Sequence, residues 1–290
     1  MSKFAVIINT YNPDIYRIQK LIESLRTDTE NDVALFIIVV DSSPSPSFLQ
    51  IDHILSAIQG FQEIKHLKIE NLGEPSSLNH AIEYAKLNIE PDLIMILTDD
   101  AIVHKEIPYK IILEYFIRNC NLEKDILLIT DSKLVHKKIV NRVTENGMVF
   151  SPKLFDKLKF REDLVMDQFD LIFCDSINFS GGKIIVFPDS IIWQGPIGRE
   201  EKNGHNYLPH WRIYLLIRNT IALYLEGKAN FFRDVLIQDF SWAYKSFFYS
   251  HQKLKCIKAI FLGIYDGLTH RLGVTENLQE LSGNRFGKDK

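Results

Sequence analysis

Thr98, Asp99 and Asp100 are the residues of this chain with the plainest chemical use. They follow five apolar residues, Leu93-Ile94-Met95-Ile96-Leu97, which read as a buried strand. In open parallel sheets, ligands gather beyond the carboxyl ends of the strands. Two adjacent carboxylates at such an end suit a divalent cation, and a cation suits phosphate. The same residues also suit an ordinary acidic turn, because Asp is common in turns. A glycine device for phosphate is missing: the first strand runs into Asn9-Thr10-Tyr11-Asn12-Pro13 with no GxGxxG, and no GxxxxGK[ST] occurs. A protein that handles phosphate without either loop commonly holds Mg2+ or Mn2+ on one or two carboxylates, with the diphosphate as a further ligand. Such an ion stabilises charge on a leaving phosphate.

The elements that must position these residues follow a β-α-β rhythm. Strands are expected at 4–8, 34–40, 66–69, 93–97 and 125–130, and helices at 15–26, 47–59, 76–87 and 107–119. Continuous apolar strands joined through helices predict an α/β fold, a mostly parallel sheet flanked by helices. Residues 131–200 are less regular, with loops at 145–147 and 180–182 and strands expected at 183–187 and 190–193. Beyond Pro209, aromatics and long helical periodicity take over. The expected organisation is therefore a nucleotide-binding and catalytic domain over 1–205 and a helical region over 206–290.

Composition narrows the class. The chain has 290 residues, 46% hydrophobic and 24% charged, which argues for a packed core rather than disorder. A net charge of −3 gives no sign of a nucleic-acid-coating surface. Cys120, Cys174 and Cys256 lie far apart with no CxxC, which points to reduced thiols and a cytoplasmic location. The first apolar run is too short for a signal peptide, and no uncharged stretch reaches the roughly 18 residues of a membrane span.

Four blocks, in order, then carry a resemblance. Val6 to Pro13, Ile38 to Ser43, Asn71-Leu72-Gly73 with Asn79, and Thr98-Asp99-Asp100 resemble successive signatures of the family 2 glycosyltransferases. His210-Trp211-Arg212-Ile213-Tyr214, Arg218-Asn219 and Gly263-Ile264-Tyr265-Asp266-Gly267-Leu268, with Arg271 and Gly273, resemble its rhamnosyltransferase branch. The likeness spans residues 4 to about 273. It implies a GT-A fold that binds a nucleoside-diphosphate sugar, a dTDP- or UDP-sugar, and inverts the anomeric centre. Thr10 and Asn12 would line the nucleotide pocket, and Asp41 would accept from a pyrimidine N–H. Asn71, Gly73 and Asn79 would flank the nucleotide and sugar. Asp100 would be the direct metal ligand, with Asp99 near the sugar or ribose. Arg212 and Arg218 would face diphosphate oxygens. The family often adds a histidine after the last strand; Trp193-Gln194 occupies that neighbourhood here, so His205 or His210 would substitute to complete the metal site.

An inverting transfer needs a carboxylate to take the acceptor's proton. The stretch Arg161 to Asp170 resembles the family segment carrying that base, which places it at Asp170; on a helix Asp167 would share its face. A solvated acidic helix start is the plainer reading of the same residues. Two departures stand out: Thr98 replaces the usual first Asp of the metal motif, and Ile172 stands where an acid is usual. With Gln194, they motivate an alternative, a catalytically impaired nucleotide-sugar-binding subunit. An oxidoreductase is disfavoured by the missing glycine loop. The basic and aromatic stretch 230–265 suggests contact with the inner face of the plasma membrane, and equally with another subunit of a homo-oligomer. The acceptor implied is a glycan of the cell surface or a lipid-linked glycan.

Overall fold

A computed structural model of the chain describes residues 1–26, 33–129, 136, 138–189, 191–194, 200–202, 204–230, 233–234, 237, 239–283 and 285–286. Two compact units alternate along the chain. The first takes Met1–Glu70, Ser77–Phe160 and Phe173–Gly195, and the second takes Asn71–Ser76, Arg161–Ile172 and Pro196–Lys290.

The elements up to residue 119 are β1 (Ser2–Thr10), α1 (Ile15–Ser24), β2 (Val33–Asp41), α2 (Ser45–Ala57), β3 (Glu63–Lys68), α3 (Glu74–Asn88), β4 (Leu93–Thr98), β5 (Ala101–Val103) and α4 (Tyr109–Asn119). Then come β6 (Ile126–Leu128), β7 (Ile139–Val140), β8 (Met148–Phe150), α5 (Pro152–Phe155), a 3-10 turn at Glu162–Leu164, α6 (Phe169–Phe179), β9 (Ile184–Val186) and β10 (Ile192–Gln194). The chain continues through β11 (Glu200–Lys202), β12 (His205–Tyr207), α7 (His210–Leu225), α8 (Phe240–Tyr249), α9 (Lys253–Leu268) and α10 (Glu276–Ser282).

One eight-stranded sheet in the order β3-β2-β1-β4-β8-β6-β9-β7 organises the first unit. β3, β2, β1 and β4 run parallel to one another, as β6 does to β9. β8 runs antiparallel between β4 and β6. Its three residues are too few to leave a periodic signal, so the sequence gives no expectation of it. The continuous apolar strands are buried on both faces, as such runs require: Phe4 to Ile8 and Leu93 to Leu97 are fully enclosed. Register aligns the strand ends. Thr10 pairs with Asp41 and Asn9 with Thr98, so three neighbouring parallel strands finish at one edge. At that edge Asp14 caps α1, its carboxylate accepting from the Arg17 backbone N–H at 3.1 Å.

The second unit is helical around α7. Its core joins Val165, Tyr214, Leu215, Ala259, Leu278 and Leu281. α7 and α9 approach closely because α9 puts glycines on the shared face. A Cβ at Gly263 would come within 2.9 Å of the Tyr214 carbonyl, and one at Gly267 within 2.8 Å of the Arg218 carbonyl. Residues 161–170 do not form the helix on which Asp167 and Asp170 would share a face. The 3-10 turn gives way to a loop in which Val165, Asp167 and Gln168 all have positive φ (64°, 57° and 69°). Among the described residues, no helix is long and apolar enough to cross a membrane, and none of the three cysteines forms a disulfide.

Candidate active-site residues: two carboxylate clusters

The first cluster lies at the carboxyl edge of β1, β2 and β4. Here the chain leaves each strand through polar residues that bond one another. The Thr10 hydroxyl donates to Asp99 at 2.8 Å, and the Thr98 hydroxyl donates to Asp100 in a very short contact. The Thr98 N–H donates to the Asn146 side-chain oxygen at 3.3 Å. Burial pushes the Asp99 carboxyl up to about 6, and the charge of Asp100 adds to the rise; Thr10 and Arg17 oppose it. Asn12 occupies the left-handed region (φ 48°), where Asn is tolerated, and its N–H donates to the Ser43 hydroxyl at 2.6 Å. Asp41 is fully enclosed. One of its oxygens accepts from the Ser43 N–H at 2.8 Å, and the other lies 3.2 Å from the His66 ring. The second ring nitrogen of His66 lies 3.1 Å from Asp52, and Phe48 stacks on the ring. Asp41 therefore shapes the turn as β2 ends. Beside it, a cavity of about 350 Å³ is lined by Asn12, Pro13, Ile15, Pro44, Ser47, Gln50 and Ile51.

The second cluster belongs to the loop leading into α6. Three positive φ angles in four residues cost energy, and strained backbone persists only where surroundings hold it. α7 supplies the hold. The Asn219 side-chain amide donates to the carbonyls of Leu164, Met166 and Asp167 at 2.8, 2.7 and 3.2 Å. Gly73, at φ 111°, lies against the same loop, where a Cβ would meet the Val165 carbonyl at 2.3 Å. The next N–H, of Glu74, donates to that carbonyl at 2.8 Å. Held this way, Asp167 takes a forked pair of bonds from Arg212, at 3.0 and 2.7 Å. Gln168 donates to the Thr220 hydroxyl at 3.3 Å. Asp170, in the first turn of α6, is buried and accepts from the Leu171 N–H at 2.8 Å. Burial pushes its carboxyl up to about 6, with the charge of Asp167 adding to the rise and Arg212 opposing it. A solvated helix start is thereby excluded.

The remaining expected residues fall into two kinds. Asn71 donates to the Arg285 carbonyl at 2.8 Å. Asn79 spends both ends of its amide on the backbone of Phe160, at 2.9 and 3.1 Å, and so splices that segment instead of lining a pocket. Arg218, expected at a diphosphate, instead is wholly buried and donates to Asn219, to Gly273 at 2.7 Å and to Leu164 at 3.2 Å. The Tyr214 hydroxyl donates to Asp266 at 2.6 Å, completing a lock between α7 and α9. The motif that resembles the rhamnosyltransferase branch is thus largely a packing motif. Two further residues carry no signal in the sequence. His66 touches Asp41 only because β3 lies beside β2. Asp239 is buried, and neither of its carboxylate oxygens is hydrogen-bonded among the described residues. Burial pushes Asp239 up to about 8. No local pattern marks it.

A divalent cation fits the first cluster in one form only. Among the described residues, no group of three or more His, Cys, Asp or Glu could hold a metal by itself. The His210 ring bonds to the Leu281 carbonyl at 2.8 Å, and the His205 side chain lies outside the described residues. Asp99 and Asp100 remain, and the charge of Asp100 helps raise the Asp99 carboxyl, a repulsion that a cation shared with a diphosphate would relieve.

No protein-family model and no curated protein matches this chain. Solved structures do. S. aureus TarS is 16% identical over 96% of this chain and 50% of its own, with a TM-score of 0.53. TarS residues 1–349 in complex with UDP-GlcNAc match at 17% identity, 96% of this chain, 83% of that one and a TM-score of 0.53. The mannosyltransferase PcManGT from Pyrobaculum calidifontis, in complex with GDP-Man and Mn2+, matches at 12% identity, 97% of this chain, 78% of that one and a TM-score of 0.55. The chain has the GT-A fold. At these identities the likeness establishes architecture, and the chain spans half the length of the longer TarS structure. In this GT-A chain the two clusters are therefore read from their own chemistry.

Proposed function

We propose that this protein is a glycosyltransferase that moves a sugar from a nucleoside diphosphate to a glycan or lipid-linked acceptor with inversion. The observation that carries the reading is the pair Asp99–Asp100 at the carboxyl edge of a GT-A sheet, hydrogen-bonded to the ends of β1 and β4. Three GT-A structures similar to it hold UDP, UDP-GlcNAc or GDP-Man, one of them with Mn2+. In this reading Asp100, with Asp99, holds Mg2+ or Mn2+ against the donor diphosphate, where the ion stabilises charge on the leaving group. Asn12 and the cavity beside it accept the nucleotide, a uridine or thymidine diphosphate. Asp170 takes the acceptor hydroxyl's proton, and a carboxyl near 6 is mostly ionised at neutral pH yet basic enough to matter. Rhamnose is favoured as the sugar on the resemblance of 210–219 and 263–273 alone.

Calorimetric titration with UDP- and dTDP-sugars tests it. Binding should require Mn2+ or Mg2+, vanish with a chelator, and weaken by about 1–3 kcal/mol, or roughly tenfold to a hundredfold, in Asp100→Ala. Metal-independent binding that survives this substitution would refute the donor site. The second reading, an impaired binding subunit, draws on the Thr98 hydroxyl occupying an Asp100 oxygen. Metal-dependent binding without any slow donor hydrolysis would favour it.

A further inference from the structure

α9 is apolar on two opposite faces, and the larger residues are on the outside. Its inner face is built from Cys256, Ala259, Gly263 and Gly267, the two glycines against α7. Its outer face carries Leu254, Ile257, Phe261, Ile264 and Leu268, at the three- and four-residue spacing of one helical stripe. Leu254 is 82% exposed and Phe261 69% exposed. α8, which packs on α9, repeats the pattern: Ala243 and Ser246 face inward, while Phe240, Tyr244 and Phe248 form a single exposed stripe. A helix facing water ordinarily turns polar residues outward, so this inversion marks a surface made to be covered.

Charge says by what. Between Phe240 and Arg271 stand Lys245, Lys253, Lys255, Lys258 and Arg271, against a single carboxylate, Asp266. Asp266 is buried and bonded to Tyr214 and Asn277. The stretch is therefore cationic in a protein whose net charge is −3. Three of the cations lie over aromatic rings of the same stretch: Lys245 over Trp242 at 4.8 Å, Lys253 over Phe247 at 5.8 Å and Arg271 over Tyr265 at 5.3 Å. Lys258 is paired with the exposed Glu280 of α10, but Lys245, Lys253, Lys255 and Arg271 lie among the large apolar side chains, and that combination matches an anionic bilayer surface. The apolar stripe enters the acyl boundary and the lysines meet the headgroups. A second protein copy would bring the same cations against each other. We propose that α8 and α9 form a peripheral membrane-binding face for anionic lipid. The proposal stands apart from the transferase reading, because it concerns surface chemistry alone.

The test is flotation of the full chain, without donor or metal, with vesicles of phosphatidylcholine alone or mixed with phosphatidylglycerol. The chain should float with the mixed vesicles at low salt and be released as salt rises. Phe248→Ser with Phe261→Ser should cut partitioning about tenfold or more. Lys253→Glu with Lys255→Glu should remove the preference for anionic vesicles. Both variants should keep the parent's melting temperature, since the changed side chains are exposed or half-exposed. Failure to float at low salt, or floating unchanged in the serine variant, would overturn the proposal. So would a concentration-dependent dimer, in sedimentation, that the serine variant abolishes while vesicle binding is absent.

Discussion

The two carboxylate clusters reach similar electrostatics by different routes. At the edge of β4, Asp99 follows directly from a regular strand, and parallel register places Thr10 beside it. In the loop before α6, Asp170 depends on backbone in the left-handed region and on side chains from α7, about fifty residues further along the chain. In both, burial and a neighbouring acid raise a carboxyl to about 6. A sheet edge presents its side chains as a by-product of strand pairing, whereas a strained loop needs dedicated supports. Damage to those supports should therefore strike the second cluster and spare the first.

The sharpest test of that difference is Asp170→Asn. It should lower transfer about a thousandfold, within the range for loss of a general base, and leave donor affinity unchanged. Full turnover in a single-turnover assay would remove Asp170 from the chemistry. Next in size is Asn219→Ala. It removes the donor to the Met166 and Asp167 carbonyls, while Leu164 keeps its bond from Arg218, and should destabilise the protein by about 2–4 kcal/mol. Urea unfolding reads the loss, and metal-dependent donor binding by the remaining folded protein should persist. If donor binding fell as steeply as stability, the clusters would not be separable. The smallest effect belongs to Asp167→Asn. Activity limited by Asp170 should rise with pH through about 6, because only the ionised carboxylate takes a proton. Asp167→Asn removes a like charge and frees Arg212, and both changes favour the ionised form, so the acid limb of the profile should move to lower pH. Movement to higher pH would show that Asp167 acts on Asp170 in some other way.

Much of the first cluster is legible in the sequence. The parallel α/β sheet and Asp99–Asp100 at a strand end follow from apolar runs that stop abruptly at polar residues, a pattern local to a few positions. The second cluster is legible only as a set of acids. A helix would put Asp167 and Asp170 on one face, but Val165, Asp167 and Gln168 leave the helical region, held by Asn219 and Gly73. Asn79 and Arg218 look like ligands in one dimension and turn out to bond backbone. Polar residue type announces hydrogen bonding without naming the partner.

For this protein, then, sequence alone determined what depends on neighbours along the chain: the strands, the helical C-terminal region, and the carboxylates that end β4. Tertiary structure decided which polar groups meet. It buried Asp41 against His66, left the Asp239 carboxylate without a hydrogen bond among the described residues, closed Arg218 around carbonyls, and turned the large side chains of α8 and α9 outward. The physical reason is that periodicity counts apolar residues without ranking faces. α9 is apolar on both sides, and only the close approach of α7, admitted by Gly263 and Gly267, settles which side is inside.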